Sequence, residues 1–189
     1  MDLWELDRRA VAATGRIVAQ VTPEHLGRPT PCGDWTLEVL LGHMVAHNHG
    51  FAAAARGLPA DPAVWDGADL GGDPAEAYRR SADEVTAAFA AARDATHRFE
   101  IHGYGAFTAK TSVGMHFVDF LVHGWDVAAS IGADRTLDAE LSGAALEIAL
   151  RWPYDRPDAA FGVRVPVPPE APVDQRLVAY LGREPGWKG

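Results

Sequence analysis

The stretch Met115-His116-Phe117-Val118-Asp119-Phe120-Leu121-Val122-His123-Gly124-Trp125-Asp126 spaces its apolar and ionisable residues as a helix does. At about 100° per residue, Val113, Phe117, Phe120, Leu121 and Val127 form an apolar stripe. His116, Asp119, His123 and Asp126 fall within an arc of roughly 80° beside it. Such a stripe is buried against other helices, and polar groups at its border need partners. A second segment, Leu40-Leu41-Gly42-His43-Met44-Val45-Ala46-His47-Asn48-His49, sets His43 and His47 one turn apart beside Leu40 and Met44. Two helices that carry imidazole at the edge of an apolar face can meet inside a bundle and hold a divalent metal.

Working outward, Leu6, Ala10, Ala13, Ile17 and Val18 recur at helical spacing and predict a first helix from about Leu3 to Val21, ended by Thr22-Pro23. Asp34 or Thr36 can cap a second helix running to about Arg56, with Glu38 at its positive end. Gly57, Pro59, Pro62, Gly67, Gly71, Gly72 and Pro74 predict a long loop able to cover a site. A third helix is expected over Pro74 to Ala95, with Tyr78, Val85 and Phe89 inward. Alternation around a Gly-containing turn from Phe99 to Phe107 predicts a small hairpin. The helix bearing the His/Asp flank spans about Thr111 to Ser130, with Gly132 placed to stop it. A further helix follows from Asp138 to Arg151, ending before Trp152-Pro153. The Pro-dense run Phe161 to Pro169 must be extended, and a short helix from Val173 to Leu181 closes the chain. The expectation is an all-α fold, a four-helix bundle with a small hairpin excursion, an extra helix and an extended Pro-rich tail.

Length and charge narrow the function. A chain of 189 residues suits one domain, 1–189, with a core that needs no disulfide. One cysteine, Cys32, excludes an internal disulfide and a Cys-rich zinc module, so a metal would need His and carboxylate ligands. A net charge of −9, with lysine only at Lys110 and Lys188, argues against a nucleic-acid partner. Without an apolar leader or a run long enough to span a bilayer, a cytoplasmic protein with no membrane partner is expected.

Asp119 and His123, four apart, describe equally a salt bridge or two ligands. His116 and His123 can also be histidines at the core border satisfied by Asp119, Asp126 or backbone. The second imidazole-bearing helix favours a metal, because His43 supplies a third ligand and two His with one carboxylate suit zinc, nickel or ferrous iron. His47 is read as standing behind the ligands, His49 as solvated, and His25, His97 and His102 as loop residues. Cys32 reads as a small buried residue rather than a nucleophile. Ser112 and Ser142 lack a nucleophile setting, and Gly71-Gly72 is no phosphate loop. Trp35 and Trp125 are placed to line a pocket wall.

Thr30-Pro31-Cys32-Gly33-Asp34-Trp35-Thr36, the Leu41-Gly42-His43 helix and the run from His116 to Asp126 together resemble the actinobacterial metal-binding branch of the DinB-like superfamily. That branch is related to the N-terminal domain of mycothiol-dependent maleylpyruvate isomerase. The resemblance extends over nearly the whole chain, including Val165-Pro166-Val167 and Leu181-Gly182-Arg183. It implies a four-helix bundle whose metal is held by a His of the second helix and an acid-x3-His pair of a later one, here His43, Asp119 and His123. Asp119 stands where the isomerase has Glu and many relatives have His. No counterpart of the isomerase's C-terminal domain is expected.

The implied function is a metal-dependent, mycothiol-using enzyme, a thiol S-transferase or thiol-assisted isomerase acting on a small electrophile. Zinc is the first choice of metal, nickel or iron the next. His116 and Asp126 are expected to tune the chemistry without holding the metal. The alternatives are a hydrolase or lyase that activates water, with His116 or Asp126 as base, and a non-catalytic small-molecule binder. A homodimer is left open.

Overall fold

A computed structural model describes residues 2–152 and 161–189. The main helices begin where short polar side chains can cap them. Asp2 accepts from Trp4 N at the start of α1, Leu3–Val18. Thr36 accepts from Val39 N at α2, Leu37–Ala55. Asp61 caps the four-residue α3, Pro62–Trp65, and Asp73 caps α4, Pro74–Ala91, each with Pro in the first turn. Thr108 accepts from Thr111 N at α5, Ala109–Ile131, which Gly132 stops in the left-handed conformation at φ 74°. Asp138 caps α6, Ala139–Ala149, and α7 spans Val173–Tyr180.

α1, α2, α4 and α5 form the bundle, in which α1 packs on α4 and α5 and α2 on the same two helices. The α5 stripe is what they enclose. Phe117, Val118, Leu121 and Val122 meet Leu6 and Ala10 of α1 with Leu141, Ala145 and Leu177, while Phe120 and Val127 meet Leu40, Leu41 and Met44 of α2. Full burial of each large apolar side chain stabilises by about 1.5–3 kcal/mol. α6 packs on α5 and on α7 as the extra layer. Between α4 and α5, β1 (Phe99–Ile101) pairs antiparallel with β2 (Gly105–Phe107), Phe99 opposite Phe107.

α1 stops at Val18, short of Val21, because the chain turns there and a 3-10 turn at Pro23–His25 follows, capped by the Thr22 and His25 side chains. α4 ends at Ala91 and α6 at Ala149, so both are shorter than the periodicity suggests. Pro153, expected to terminate the α6 segment, lies outside the described residues. The tail from Phe161 to Pro169 has no helix, and Val165 N donates to Ala179 O at 2.9 Å, tying it to α7.

The long segment after α2 is not a free loop. It carries α3, whose Trp65 is buried against α2 at Gly50, where a Cβ would lie 2.4 Å from the indole. Ala68 N donates to Gly42 O at 3.0 Å. The segment therefore lies along the same stretch of α2 that carries His43 and His47.

Candidate metal centre

α2 and α5 bring the two imidazole segments together. The rings of His43 and His47 are 3.7 Å apart between centroids, and the His43 ring lies 5.3 Å from that of His123. Asp119 sits among them. Its Oδ1 is 3.3 Å from His123 Nε2 and its Oδ2 is 3.7 Å from His47 Nδ1. Both approaches are at ion-pair distance, yet Asp119 Oδ2 and His123 Nε2 are buried atoms without a hydrogen-bond partner.

A buried polar atom left unsatisfied costs about 1–3 kcal/mol, so two such atoms side by side need a reason. Donors at about 2.0–2.2 Å from one tetrahedral ion stand about 3.4 Å from each other, and the contacts at 3.3 and 3.7 Å agree with that spacing. The donor atoms of His43, His47 and Asp119 all lie within 4.8 Å of one another. The chemistry of this donor set fits a divalent cation.

Behind His123 stands Asp126, fully buried, with Oδ2 at 3.0 Å from His123 Nδ1. Nδ1–H donates to the carboxylate, which fixes the ring and leaves Nε2 facing Asp119. Arg183, beyond α7, holds Asp126 in turn: Nη2 lies 2.9 Å from Oδ2 and Nε 3.2 Å from Oδ1. The Cys32 thiol donates to Asp126 Oδ2 at 3.0 Å and lies 3.3 Å from Arg183 Nη2. Cys32, His123 and Asp126 are themselves close enough to share an ion. With the guanidinium among them, however, that corner already has its cation.

The charges follow from these contacts. Burial disfavours the His43 imidazolium, as do His47 and His123 beside it, and its pKa falls to about 3, so it is neutral at pH 7 and offers a lone pair. Burial alone would raise Asp119 and lower His123. Their mutual attraction outweighs it, holding the carboxyl well below its ordinary range and the imidazole well above its own. For Asp126 burial is likewise opposed by Arg183 and then His123, which bring its pKa down to about 2. Aromatic rings wall the cluster. Trp35 is 4.9 Å from the His43 ring, and Trp65 meets His47 edge-on at 5.2 Å.

The sequence flank of α5 is thus divided. His43, Asp119 and His123 converge, with Asp126 behind His123 rather than facing the cluster. His116 does not join them. It is completely buried, its Nδ1 2.7 Å from Asp7 Oδ1 and its Nε2 3.0 Å from Asn48 Oδ1, and its ring stacks on Phe120. Asn48 donates to Ser81 Oγ at 2.9 Å, so the network ends inside the bundle.

His47, read from sequence as standing behind the ligands, faces Asp119 directly. Sequence reasoning gives no role to Asp7 or Asn48, meets Arg183 only within the closing Leu181-Gly182-Arg183, and reads Cys32 as a packing residue. Asp7 did carry a signal, because it shares a helical face with Val11, Thr14 and Val18, all buried.

The model of the family described as the mycothiol maleylpyruvate isomerase N-terminal domain matches residues 8–128. That span contains Asp7's neighbours on α1 and all of His43, His47, Asp119, His123 and Asp126, but not Arg183. Two uncharacterized proteins of Mycobacterium tuberculosis, from strains CDC 1551 / Oshkosh and ATCC 25618 / H37Rv, are each 32% identical over 186 residues, covering 97% of this chain and 98% of the relative. No solved structure matches the chain. With the bundle, the paired imidazole helices and this match in agreement, the chain belongs to the mycothiol maleylpyruvate isomerase N-terminal domain family.

Proposed function

We propose that the protein is a metal-dependent enzyme that uses mycothiol, as a thiol S-transferase or in a thiol-assisted isomerisation, on a small electrophile. The observation that carries this reading is the pair of buried atoms without hydrogen-bond partners, Asp119 Oδ2 at 3.7 Å from His47 Nδ1 and His123 Nε2 at 3.3 Å from Asp119 Oδ1. His43, Asp119 and His123 would hold the ion, zinc first with nickel or ferrous iron as the alternatives. When bound, a divalent cation supplies the positive charge that turns a thiol into a thiolate near neutral pH.

The chain's own residues prepare the rest. Asp126 aims His123, and Arg183 keeps Asp126 ionised and fixed. Trp35 and Trp65 give the site apolar walls. His116 is enclosed, so its part is to hold the bundle in register rather than to touch substrate. The chain's one thiol, Cys32, is turned to Asp126 and Arg183 rather than to the cluster. The attacking group is therefore brought in, and the family supports a thiol. We read residues 1–189 as one such domain, acting in the cytoplasm, where small thiols and their electrophiles are met.

Titration of the cobalt-substituted protein with mycothiol tests the reading. A sulfur-to-cobalt charge-transfer band is expected. Its absence at saturating mycothiol, together with turnover of an ester or amide in thiol-free buffer, would replace the thiol enzyme with a water-activating hydrolase.

A further inference from the structure

We infer that His47 is a fourth protein donor to the same cation, so that the centre is built from three imidazoles and one carboxylate, two donors from each helix. This rests on the metal-site reading above and deepens it. His47 follows His43 by one turn of α2; the two rings stand 3.7 Å apart between centroids, and a nitrogen of each lies within 4.8 Å of the other and of an Asp119 oxygen. Asp119 divides its carboxylate between the helices, Oδ1 toward His123 Nε2 at 3.3 Å and Oδ2 toward His47 Nδ1 at 3.7 Å.

The second distance is the telling one. Among the described residues, imidazole and carboxylate that pair directly close to 2.6–3.0 Å, His49 with Glu84 at 2.6 Å, His116 with Asp7 at 2.7 Å and His123 with Asp126 at 3.0 Å. His47 stays further from Asp119, at 3.7 Å, and the buried Oδ2 facing it has no hydrogen-bond partner. Two ligands of one ion stand apart in this way, at about 3.4 Å for a tetrahedral site. Trp65, edge-on to the His47 ring at 5.2 Å, and Phe51 at 6.3 Å support it from the other side.

Four protein donors change what the centre can do. They fill a tetrahedral zinc site, so an external thiol would need a fifth position or the withdrawal of one donor. Metals that favour five or six ligands keep room for it. The donor count thus bears on which metal serves the proposed chemistry.

X-ray absorption on the zinc-loaded full chain counts imidazole ligands directly and does not depend on activity. Three are expected in the unaltered protein and two in His47→Ala and His47→Gln, with zinc affinity falling by about 100-fold or more and free imidazole restoring the third in His47→Ala. Two imidazoles in the unaltered protein, or a count that His47 substitution leaves at three, would overturn the inference while leaving His43, Asp119 and His123 as ligands. A chain that retains no zinc at all would overturn both.

Discussion

His116 and His123 stand two turns apart on one flank of α5, both within the protein, yet only one of them is hydrogen-bonded at both ring nitrogens. Each nitrogen of His116 has a partner, Asp7 on one side and Asn48 on the other. His123 has Asp126 on Nδ1 and no hydrogen-bond partner on Nε2, which faces Asp119 and the imidazoles of α2. Burial and spacing do not separate the two histidines. The state of the second nitrogen does.

Removing each histidine's function in turn separates the two regions most strongly. His123→Gln is expected to abolish metal binding, from about one ion per chain to less than a tenth, measured by elemental analysis of the folded variant. On the other side, Asp7→Ala leaves the buried His116 without its carboxylate and is expected to cost about 3–5 kcal/mol of stability in denaturant unfolding, with metal content unchanged. If Asp7→Ala emptied the site, the two regions would not be distinct.

Asp126→Asn probes the rear of the site. Its carboxylate orients His123 from behind, and its loss is expected to weaken zinc by about 10–100-fold without emptying the centre, read by chelator competition. The smallest effect is on protons. The His123 pKa, which burial would lower, is held above its ordinary value by Asp119, so the metal-free imidazole is charged at pH 7. Zinc binding should therefore release about one proton there, seen as a dependence of the calorimetric heat on buffer ionisation. In the metal-free protein, the stability this group contributes is present below the ordinary histidine range and is lost as pH rises through its raised value. Over the same window zinc affinity should increase.

Much of the bundle is legible in the sequence because capping residues, proline and helical spacing act locally. Pro74 and Gly132 mark the start of α4 and the end of α5 where the structure has them, whereas α5 begins at Ala109 under a Thr108 cap, two residues before the expected Thr111. α3 was hidden because it is four residues long and owes its position to Trp65 packing on Gly50. Periodicity places a residue on a face but does not name what it meets. Asp7 reaches His116 across 109 residues, and Arg183 reaches Asp126 across 57. The Asp119–His123 pair and His43 stand out by type and spacing, whereas the closeness of His47 to Asp119 depends on how α2 sits against α5. The same packing draws Asp126 behind His123 and encloses His116, which the helical wheel had set on one continuous flank.

15N NMR of the imidazole rings reads the nitrogens one by one. On addition of one equivalent of zinc to the metal-free protein, His123 Nε2 is expected to move to the chemical shift of a metal-bound nitrogen, with a ring nitrogen of His43 following it. Both nitrogens of His116 should stay where they are, still bonded to Asp7 and Asn48. Zinc addition that moves no imidazole nitrogen, or that moves those of His116 together with His123, would contradict the account.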